Sequence, residues 1–449
     1  MSESPVPMRH GARLPARILI GLAALAGVVA LAAVLVWHLN LRDEPDLSAE
    51  AVSATQGAAP DHAAQVARGA YLAQAGNCMA CHTARGGAAF AGGRRIDTPY
   101  GGVMSSNLTP DADTGIGRWT PAHFWRAMHN GRSRDGRLLY PAFPYTSFTQ
   151  ITRADSDALH AYLHSLPAVR QANAPHDLRW PYDSQAALAV WRALYFKPER
   201  FEADTARSAA WNRGAYLVRG LGHCAACHSS RNALGASIDP LGLAGGPIPM
   251  QNWYAPSLTS PSEAGLAHWD ARDIVALLRD GVSRHASVSG PMAEVVARST
   301  QHLSSQDLDA MAEYLLALPQ TVAPNVATSA APAAARPASP QALRGAKLYE
   351  QQCVHCHGDQ GQGIASAYPA LAGNRAVTLS NPANLVQIVL YGGFAPATAG
   401  NPRPYGMPPF VTVLSDDDIA AVLTHIRGAW GNGAGAVSEF DVNRHRQAR

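Results

Sequence analysis

The stretch CMACH, residues 78–82, is the first of three copies of a pattern in which two residues separate two cysteines and a histidine follows at once. The second copy, CAACH, covers residues 224–228, and the third, CVHCH, covers residues 353–357. All six cysteines of the chain lie in these copies, so none is left for a structural disulfide. The pattern therefore excludes a disulfide-stabilised scaffold and indicates one chemistry that is used three times.

That chemistry is predicted to be covalent attachment of a c-type haem at each copy, three haem c groups in all. Two cysteines three positions apart on a helix place their sulfurs on nearly one face, where they can form thioethers with the two vinyl groups of a haem. The adjacent histidine can then turn its imidazole to the iron. The predicted thioether residues are Cys78, Cys81, Cys224, Cys227, Cys353 and Cys356, and the predicted proximal iron ligands are His82, His228 and His357.

A zinc site and a redox dithiol are the alternatives for such a cysteine pair. Zinc usually takes two pairs that lie close together, whereas these pairs are widely separated in the chain. A dithiol of the thioredoxin kind expects a βαβ setting, which this sequence does not offer. Three copies behind similar segments favour haem.

Similar segments precede the three motifs and indicate domain duplication. The lead-ins read RGAYLAQAGN from Arg68, RGAYLVRGLGH from Arg213 and RGAKLYEQQ from Arg344, each with the spacing of a short helix. Residues 115–131 and 265–281 also match, and in each a helix is predicted to begin at a cap, Thr120 or Asp270, and to end at glycine. An amphipathic helix closes each repeat, over residues 153–167, 304–319 and 414–430.

The fold class that follows is all-α, with three cytochrome c-like domains in tandem after one N-terminal transmembrane helix. A chain of 449 residues has room for about three domains, and strand patterns are weak throughout. Short helices with long Gly/Pro-rich loops make a poor core, which a haem would complete. The predicted segments are a cytoplasmic N-terminus 1–17, an anchor 18–38, domains 62–170, 206–320 and 342–432, a packed connector 171–205 with a helix over 184–196, an Ala/Pro linker 321–341 and a polar tail 433–449.

The N-terminal apolar stretch, residues 18–37, contains no charge and is long enough to cross a membrane as a helix. Arg9, Arg13 and Arg17 precede it, whereas acidic residues dominate the segment after it. The arginine-rich side is predicted to stay in the cytoplasm, which places the rest of the chain across the membrane. A cleaved signal peptide is the alternative, although its apolar core usually has only about 7–15 residues.

The charge balance argues against a nucleic-acid partner. The chain has 36 basic and 33 acidic side chains, a formal charge of +3, and no block of lysine or arginine.

The second axial ligand of each iron is predicted from the nine methionines. Met407, in the proline-braced loop PYGMPPF, follows the third motif and is the predicted ligand there. In the second repeat Met292, in the matching loop, is favoured over Met250, while Met311 lies on the closing helix and is predicted to fill the core. A methionine ligand raises the reduction potential, which suits electron transfer.

The first repeat departs from this arrangement. Its loop reads LLYPAFPYTSF, and Phe143, which cannot bind iron, stands at the expected place. Met104, in the glycine-rich stretch YGGVMSSNLTP, is the candidate ligand, and Met128 is predicted to pack in the core. A histidine such as His129, or an iron with its sixth position open, are alternatives that the sequence leaves undecided.

Over about residues 62–432 the chain resembles the triheme cytochrome c subunits of bacterial membrane-bound dehydrogenases. The resemblance rests on the three haem motifs together with SSNLTPDADTGIGRW, LLYPAFPY, NWYAPSLTS, GPMAEVVARSTQHLS and GMPPF. In such subunits a methionine normally stands where Phe143 stands. The variant YPAFPYTSF is similar to the branch paired with molybdenum hydroxylases of the xanthine oxidase type. The polar tail offers no membrane-binding amphipathic helix of the kind that some members carry.

The resemblance implies an electron-transfer subunit with no catalytic residue of its own. A partner dehydrogenase with quinone, flavin or molybdenum cofactor would supply the electrons, and ubiquinone or a terminal oxidase would receive them. The expected location is the bacterial inner membrane, with the haem domains in the periplasm. No GxGxxG motif precedes a helix, so a flavin or nicotinamide site on this chain is not expected.

Two rival functions remain open at the level of sequence. The first is a peroxidase or small-molecule oxidase that works at an open first haem, which Phe143 keeps in consideration. The second is the multi-haem subunit of a haem–copper oxidase, which shares an N-terminal anchor.

Overall fold

The computed structural model describes residues 16–44, 47, 61–266, 268–321, 339–365 and 367–447. Residues 1–15 of the predicted cytoplasmic segment and residues 322–338 of the predicted linker lie outside the described residues. The fold is mostly helical, and three hydrophobic clusters of buried side chains divide it into a first, a second and a third helical unit.

Helix α1, Ala16–Asn40, confirms the predicted N-terminal apolar helix. The first unit then contains α2 His62–Ala75, α3 Cys78–Cys81, β1 Arg95–Thr98, β2 Gly101–Met104, α4 Pro121–Asn130, α5 Tyr145–Phe148 and α6 Arg153–Ser165. The connector holds β3 Asp177–Leu178 and α7 Gln185–Tyr195. Helix α7 confirms the predicted connector helix, and the Ser184 side chain caps its start.

The second unit repeats the plan of the first. Its elements are α8 Ala209–Arg219, α9 Ala225–His228, β4 Gly246–Ile248, β5 Trp253–Ala255, α10 Ala271–Asp280, α11 Gly290–Arg298, a 3₁₀ turn Thr300–His302 and α12 Ser305–Leu316. The third unit has α13 Pro340–Gln352, α14 Val354–His357, α15 Arg375–Thr378, α16 Ala383–Tyr391, β6 Gly393–Phe394, β7 Gly406–Met407, α17 Asp416–Gly428 and α18 Glu439–Gln447.

One close helix crossing recurs in all three units and explains the glycine of the lead-in segments. The lead-in helix crosses the closing helix at Gly69, Gly214 or Gly345, and a methyl group there would overlap a backbone carbonyl of the closing helix. Only glycine lets the two backbones approach so closely. The carbonyls concerned belong to Ala158, Ala310 and Ala421, respectively.

The predicted caps and core methionines are confirmed. The Thr120 side chain accepts the His123 N–H at the start of α4, and Asp270 accepts the Arg272 N–H at the start of α10. Met128 and Met311 are both buried in the clusters of their own units.

Two segments differ from the sequence-based prediction. The loop before Met104 contains a hairpin, in which β1 pairs with β2 from Arg95 opposite Met104 to Thr98 opposite Gly101. The tail predicted as polar forms α18, which buries Val442 in the third cluster, while Arg446 pairs with Asp416 on α17 at 2.5 Å. The burial of Val442, this ion pair and hydrogen bonds such as that from Asn443 to Asp416 at 2.9 Å hold a helix that its polar composition conceals.

The first and second units exchange hydrogen bonds across their interface. The Tyr71 hydroxyl donates to Asp307 of the second unit at 2.5 Å, and the Tyr216 hydroxyl donates to Asp155 of the first unit at 2.6 Å. Each carboxylate is also paired with the arginine of its own unit's lead-in, Asp155 with Arg68 and Asp307 with Arg213. The exchange is reciprocal, as in an isologous dimer interface, and it fixes the two units relative to each other.

The third unit contacts the second through different residues. Asn384 donates to the Tyr254 carbonyl at 2.8 Å and accepts the Tyr254 N–H at 2.9 Å, and the Arg375 N–H donates to the His285 carbonyl at 2.8 Å. In the third lead-in Lys347 stands where the other two have tyrosine, so the hydroxyl needed for the reciprocal exchange is missing.

Candidate haem-binding sites

The six cysteines lie at the start of a short helix in each unit, directly after the lead-in helix. No two of the six cysteines are joined in a disulfide. Burial, together with the neighbouring cysteine of the same motif, raises the pKa of Cys78 and of Cys224 to about 12 and that of Cys353 to about 11. Within the described parts of the chain, no three His, Cys, Asp or Glu side chains converge as a metal-ion site.

The three motif histidines share one hydrogen-bond arrangement that sequence reasoning did not predict. Nδ1 of His82 lies 2.7 Å from the Ser106 carbonyl, Nδ1 of His228 lies 2.8 Å from that of Pro256, and Nδ1 of His357 lies 3.0 Å from that of Pro369. A carbonyl only accepts, so Nδ1 carries the proton and Nε2 keeps its lone pair. Iron-binding histidines are held in this way, with the second nitrogen bonded to a backbone or carboxylate oxygen.

The electrostatics of these rings also suit an iron ligand. Burial lowers the pKa of His82, His228 and His357, and outweighs the opposite effect of the backbone hydrogen bond. The rings are therefore neutral at pH 7. The residues present thus fit a covalently attached haem at each motif, with two thiols for thioether bonds and one oriented, unprotonated nitrogen for the iron.

The first and second units place Phe143 and Met292 at equivalent positions. After α4 the Leu139 N–H donates to the Gly131 carbonyl at 2.9 Å, and after α10 the Val288 N–H donates to the Gly281 carbonyl at the same distance. Phe143 stands four residues after Leu139, and Met292 stands four residues after Val288. The equivalence predicted by matching the two repeats therefore has a structural counterpart.

The three side chains at or near this position pack in similar ways. Met292 lies on α11 and is half-buried against the second cluster, and Met407 lies on β7, opposite Gly393, against the third cluster. Phe143 is half-buried against the first cluster, with its ring centroid 5.4 Å from that of Phe148. A ring that replaces a thioether here retains the packing and removes the sulfur.

Met104, the candidate ligand of the first repeat, lies at the end of β2. Its N–H donates to Nδ1 of His176 at 3.1 Å, and the Ser106 carbonyl, two residues later, holds the His82 ring. Met104 thus ends the strand that leads directly into the segment holding the His82 ring. His129, the other candidate, stacks on Trp125 at 4.5 Å between ring centroids, and its Nδ1 is 2.7 Å from the Thr149 carbonyl.

Two arginines that sequence reasoning missed hold the motif helices of the first two units. Arg94 donates to the Ala80 carbonyl and pairs with Glu294 of the second unit at 3.2 Å. Arg231 donates to the Ala226 carbonyl at 2.7 Å. No motif marks either arginine, because their partners are backbone carbonyls.

Residues beside the first two motifs also interact across the interface. Burial raises the pKa of Cys227, and the charge of Cys81 raises it further. His223, which directly precedes the second motif, lies with its ring 5.6 Å from that of Phe148 in the first unit.

Comparison with protein families gives two matches. The family described as cytochrome c matches residues 66–167 and 212–319, and the family described as cytochrome c oxidase, cbb3-type, subunit III, matches residues 340–426. The three matched segments contain the three motifs and lie in the first, second and third units, respectively.

Curated proteins of similar sequence span most of the chain. The alcohol dehydrogenase (quinone) cytochrome c subunit of Gluconacetobacter polyoxogenes is 39% identical over 421 residues, which cover 89% of each chain. The gluconate 2-dehydrogenase cytochrome c subunit of Pantoea cypripedii is 38% identical, covering 84% of this chain and 89% of its own. A nicotinate dehydrogenase subunit of Pseudomonas putida is 42% identical over 81% of this chain but only 30% of its own length.

Proposed function

Because the chain belongs to the family of cytochrome c subunits of dehydrogenases, we propose that it is the electron-transfer subunit of a membrane-bound dehydrogenase complex. It accepts electrons from a catalytic dehydrogenase subunit and delivers them to ubiquinone or a terminal oxidase. Bound haem supplies the one-electron couple, whose potential the protein sets through axial ligands and surroundings. The substrate is determined by the partner.

Three covalently bound haem c groups are part of the proposal, one in each of three cytochrome c domains. The observation that carries it is the repeated arrangement of His82, His228 and His357, each with Nδ1 at a backbone carbonyl and each directly after a pair of thiols. The cysteines hold the haem edge, and the histidine Nε2 binds the iron. The proposed domains keep the predicted ranges 62–170, 206–320 and 342–432, the last extended by α18.

Met292 and Met407 are the proposed distal ligands of the second and third sites. A thioether stabilises ferrous iron and fills the sixth position, so neither site can take a substrate at the metal. Both side chains pack half-buried against the core of their own unit, Met292 from α11 and Met407 from β7.

Electron passage between the first two sites is supported by the fixed interface between their units. Tyr71 and Tyr216 join the units reciprocally, and Arg94 links the first motif helix to Glu294. His223, directly before the second motif, lies with its ring centroid 5.6 Å from that of Phe148 in the first unit. A rigid, short separation is what transfer between two centres requires.

Membrane attachment through α1 completes the proposal, with the helical units in the periplasm. Arg17–Asn40 is long and apolar enough to cross a membrane, and none of its most apolar part is buried in the protein. The arginines before it and the acidic residues after it give the orientation.

The proposal is tested on the purified membrane complex. The polypeptide should carry the mass of three haem groups after denaturation, because thioether bonds survive it. Substrate of the copurified dehydrogenase should reduce all three centres under anaerobic conditions. A mass equal to that of the bare polypeptide, or centres that the dehydrogenase leaves oxidised, would contradict it.

A second candidate function rests on Phe143, which occupies the position equivalent to Met292. If no other side chain binds the first iron, that site can take a small ligand and act as a peroxidase or oxidase. Met104 ends the strand that leads into Ser106, whose carbonyl holds the His82 ring. This position favours an open sixth position at the first iron over a Met104 ligand. Uptake of carbon monoxide by one of three ferrous centres would support the open first site, and no uptake would support a side-chain ligand there.

A further inference from the structure

The last turn of α1 is joined to the connector helix α7 by side-chain hydrogen bonds. Asn40 is only 9% exposed, its amide nitrogen donates to the Ala189 carbonyl, and its amide oxygen accepts from Arg192 Nε, both at 2.9 Å. Arg192 is itself buried and donates to the carbonyls of Asn130 and Gly131 at the end of α4. Because both side chains are enclosed and bonded, α7 is fixed beside the end of α1.

The residues that follow α1 strengthen this junction. Arg42 donates to the Phe196 carbonyl at 3.2 Å, just beyond α7. Glu44 pairs with Arg126 at 3.2 Å and with Arg132 at 3.5 Å, and all three side chains are largely enclosed. The end of α1 is therefore part of the first unit and does not act as a loose tether.

The outward face of α7 is apolar. Ala186, Val190 and Leu194 follow one another at intervals of four residues and share one face of the helix; Val190 is 48% and Leu194 64% exposed. A surface helix of a soluble protein normally turns polar residues outward. Ala189, the neighbour of Val190 on the same helix, accepts the Asn40 bond, so the helix that carries this stripe lies against the end of α1.

Exposed aromatic side chains surround the stripe. Trp180, just before α7, is 83% exposed, and Tyr182 and Tyr195 are also exposed. Trp37, one turn before Asn40 on α1, is 65% exposed. Tryptophan and tyrosine accumulate where a protein passes from the hydrocarbon region to the headgroups.

The second unit adds to the same surface. Trp191 Nε1 on α7 donates to the Leu234 carbonyl at 2.8 Å, which brings the loop after the second haem motif beside α7. Leu234, Ile238 and Leu241 of that loop are exposed. The apolar surface therefore extends from α1 across α7 to the second unit.

We propose that this surface, made of α7, Trp180 and the 234–241 loop, rests in the headgroup region of the membrane that α1 crosses. The inference rests on the proposed anchoring by α1. A bilayer is the partner that this surface fits. The surface begins at the helix proposed to cross the membrane and carries aromatic side chains typical of the interface. It ends at exposed Lys197, whose stem can lie along apolar surface while its charge reaches water. The contact would fix the orientation of the first two units relative to the membrane.

The test uses the full-length haem-loaded protein in vesicles of phosphatidylethanolamine and phosphatidylglycerol. Leu194→Cys carries a nitroxide label, whose collision rates with oxygen and with a water-soluble nickel chelate report its depth. Leu343→Cys is the matched control, since Leu343 is also a leucine on a helix surface, 56% exposed, in the third unit. Val28→Cys in α1 reports the anchor itself. The unsubstituted chain must take up no label.

The ratio of oxygen to nickel collisions should be severalfold higher at Leu194 than at Leu343, and highest at Val28. A low ratio at Leu194 with a high one at Val28 overturns the inference and leaves the anchor intact, whereas low ratios at both reject the anchor. A low ratio in vesicles that rises when the dehydrogenase subunit is added assigns the surface to a protein partner and also overturns it. Val190→Cys repeats the test if Leu194→Cys loses haem.

Discussion

The first and second helical units have nearly the same fold but carry different side chains at one equivalent position. Both have the same helices, the same glycine crossing and the same histidine arrangement, and each supplies the tyrosine that the other's aspartate accepts. They differ at Phe143 and Met292, which occupy equivalent places after α4 and α10. The comparison separates two requirements. The lead-in and the motif are shared by both units, whereas the residue proposed to complete the coordination of the iron differs between them.

The third unit shows that the interface is a separate requirement as well. It keeps the crossing at Gly345 and the histidine arrangement, yet Lys347 replaces the tyrosine and the unit meets the second through Tyr254 and Asn384. A unit of this kind can therefore be joined to its neighbour in more than one way without loss of its own site.

The largest effects are expected at the glycines that the two units share. Gly69→Ala and Gly214→Ala should each cost about 3 kcal/mol or more of unfolding free energy, because a methyl group would overlap a backbone carbonyl that cannot turn aside. Thermal unfolding and haem content of the two variants measure this. Gly428→Ala, at a glycine with open space around it, is the control. A well-folded Gly69→Ala beside a disrupted Gly214→Ala would break the equivalence of the units.

Exchanging the distinguishing side chains should move the two sites in opposite directions. Met292→Phe should lower the potential of one centre by about 0.1 V, or about 2.3 kcal/mol per electron, and make it bind carbon monoxide. Phe143→Met should raise the potential of another centre and abolish its carbon monoxide binding. Redox titration and carbon monoxide difference spectra measure both.

Leu343→Met, on an exposed position of the third unit, controls for an added methionine. If Phe143→Met changes neither property, the first iron already has a side-chain ligand, and the proposed open position is wrong.

The reciprocal tyrosines should give effects of the same sign and unequal size. Tyr216→Phe should lower the free energy of unfolding by about 1.5–3 kcal/mol, because it removes a 2.6 Å hydrogen bond to the enclosed carboxylate of Asp155. Tyr71→Phe should lower it by less, because Tyr71 is nearer to solvent. Denaturant unfolding measures the difference. Tyr405→Phe, at an exposed tyrosine of the third unit, should have no effect. Equal losses would mean that the environment of the two bonds does not matter.

The smallest effect is the pH dependence of the same interface. Burial alone would raise the pKa of Asp307, but hydrogen bonds from Arg213 and Tyr71 outweigh it and lower the pKa below its ordinary value. Stability from this carboxylate is therefore complete above the unfolded-state pKa, near 4, and is lost as the pH falls through the lower folded-state value. Asp307→Asn should flatten the acid side of the stability profile. An unchanged profile would remove Asp307 from the acid response.

Much of the fold and of the candidate sites could be predicted from the sequence, because those features depend on local patterns. The attachment motifs, the caps Thr120 and Asp270, and the core positions of Met128 and Met311 follow from spacing along the chain. The location of Phe143 followed from aligning the repeats.

What the sequence did not reveal depends on backbone atoms and on contacts between distant segments. The carbonyls of Ser106, Pro256 and Pro369 that hold the three histidines carry no side-chain pattern. The tyrosines of the lead-ins fit a helix-packing pattern equally well, so their exchange across the interface was not visible. Helix α18 depends on contacts such as the ion pair with Asp416 and the burial of Val442.

The junction between α1 and the first unit affects how the protein can be shortened for work in aqueous solution. Cutting immediately before His62 would remove the Asn40 amide that accepts from Arg192 and the Glu44 carboxylate that pairs with Arg126, so each of these enclosed arginines would keep only its backbone carbonyl partners. A water-soluble version should instead begin near Asn40, so that the polar end of the helix travels with the globular part. The last turn of α1 thus belongs to the globular part of the protein.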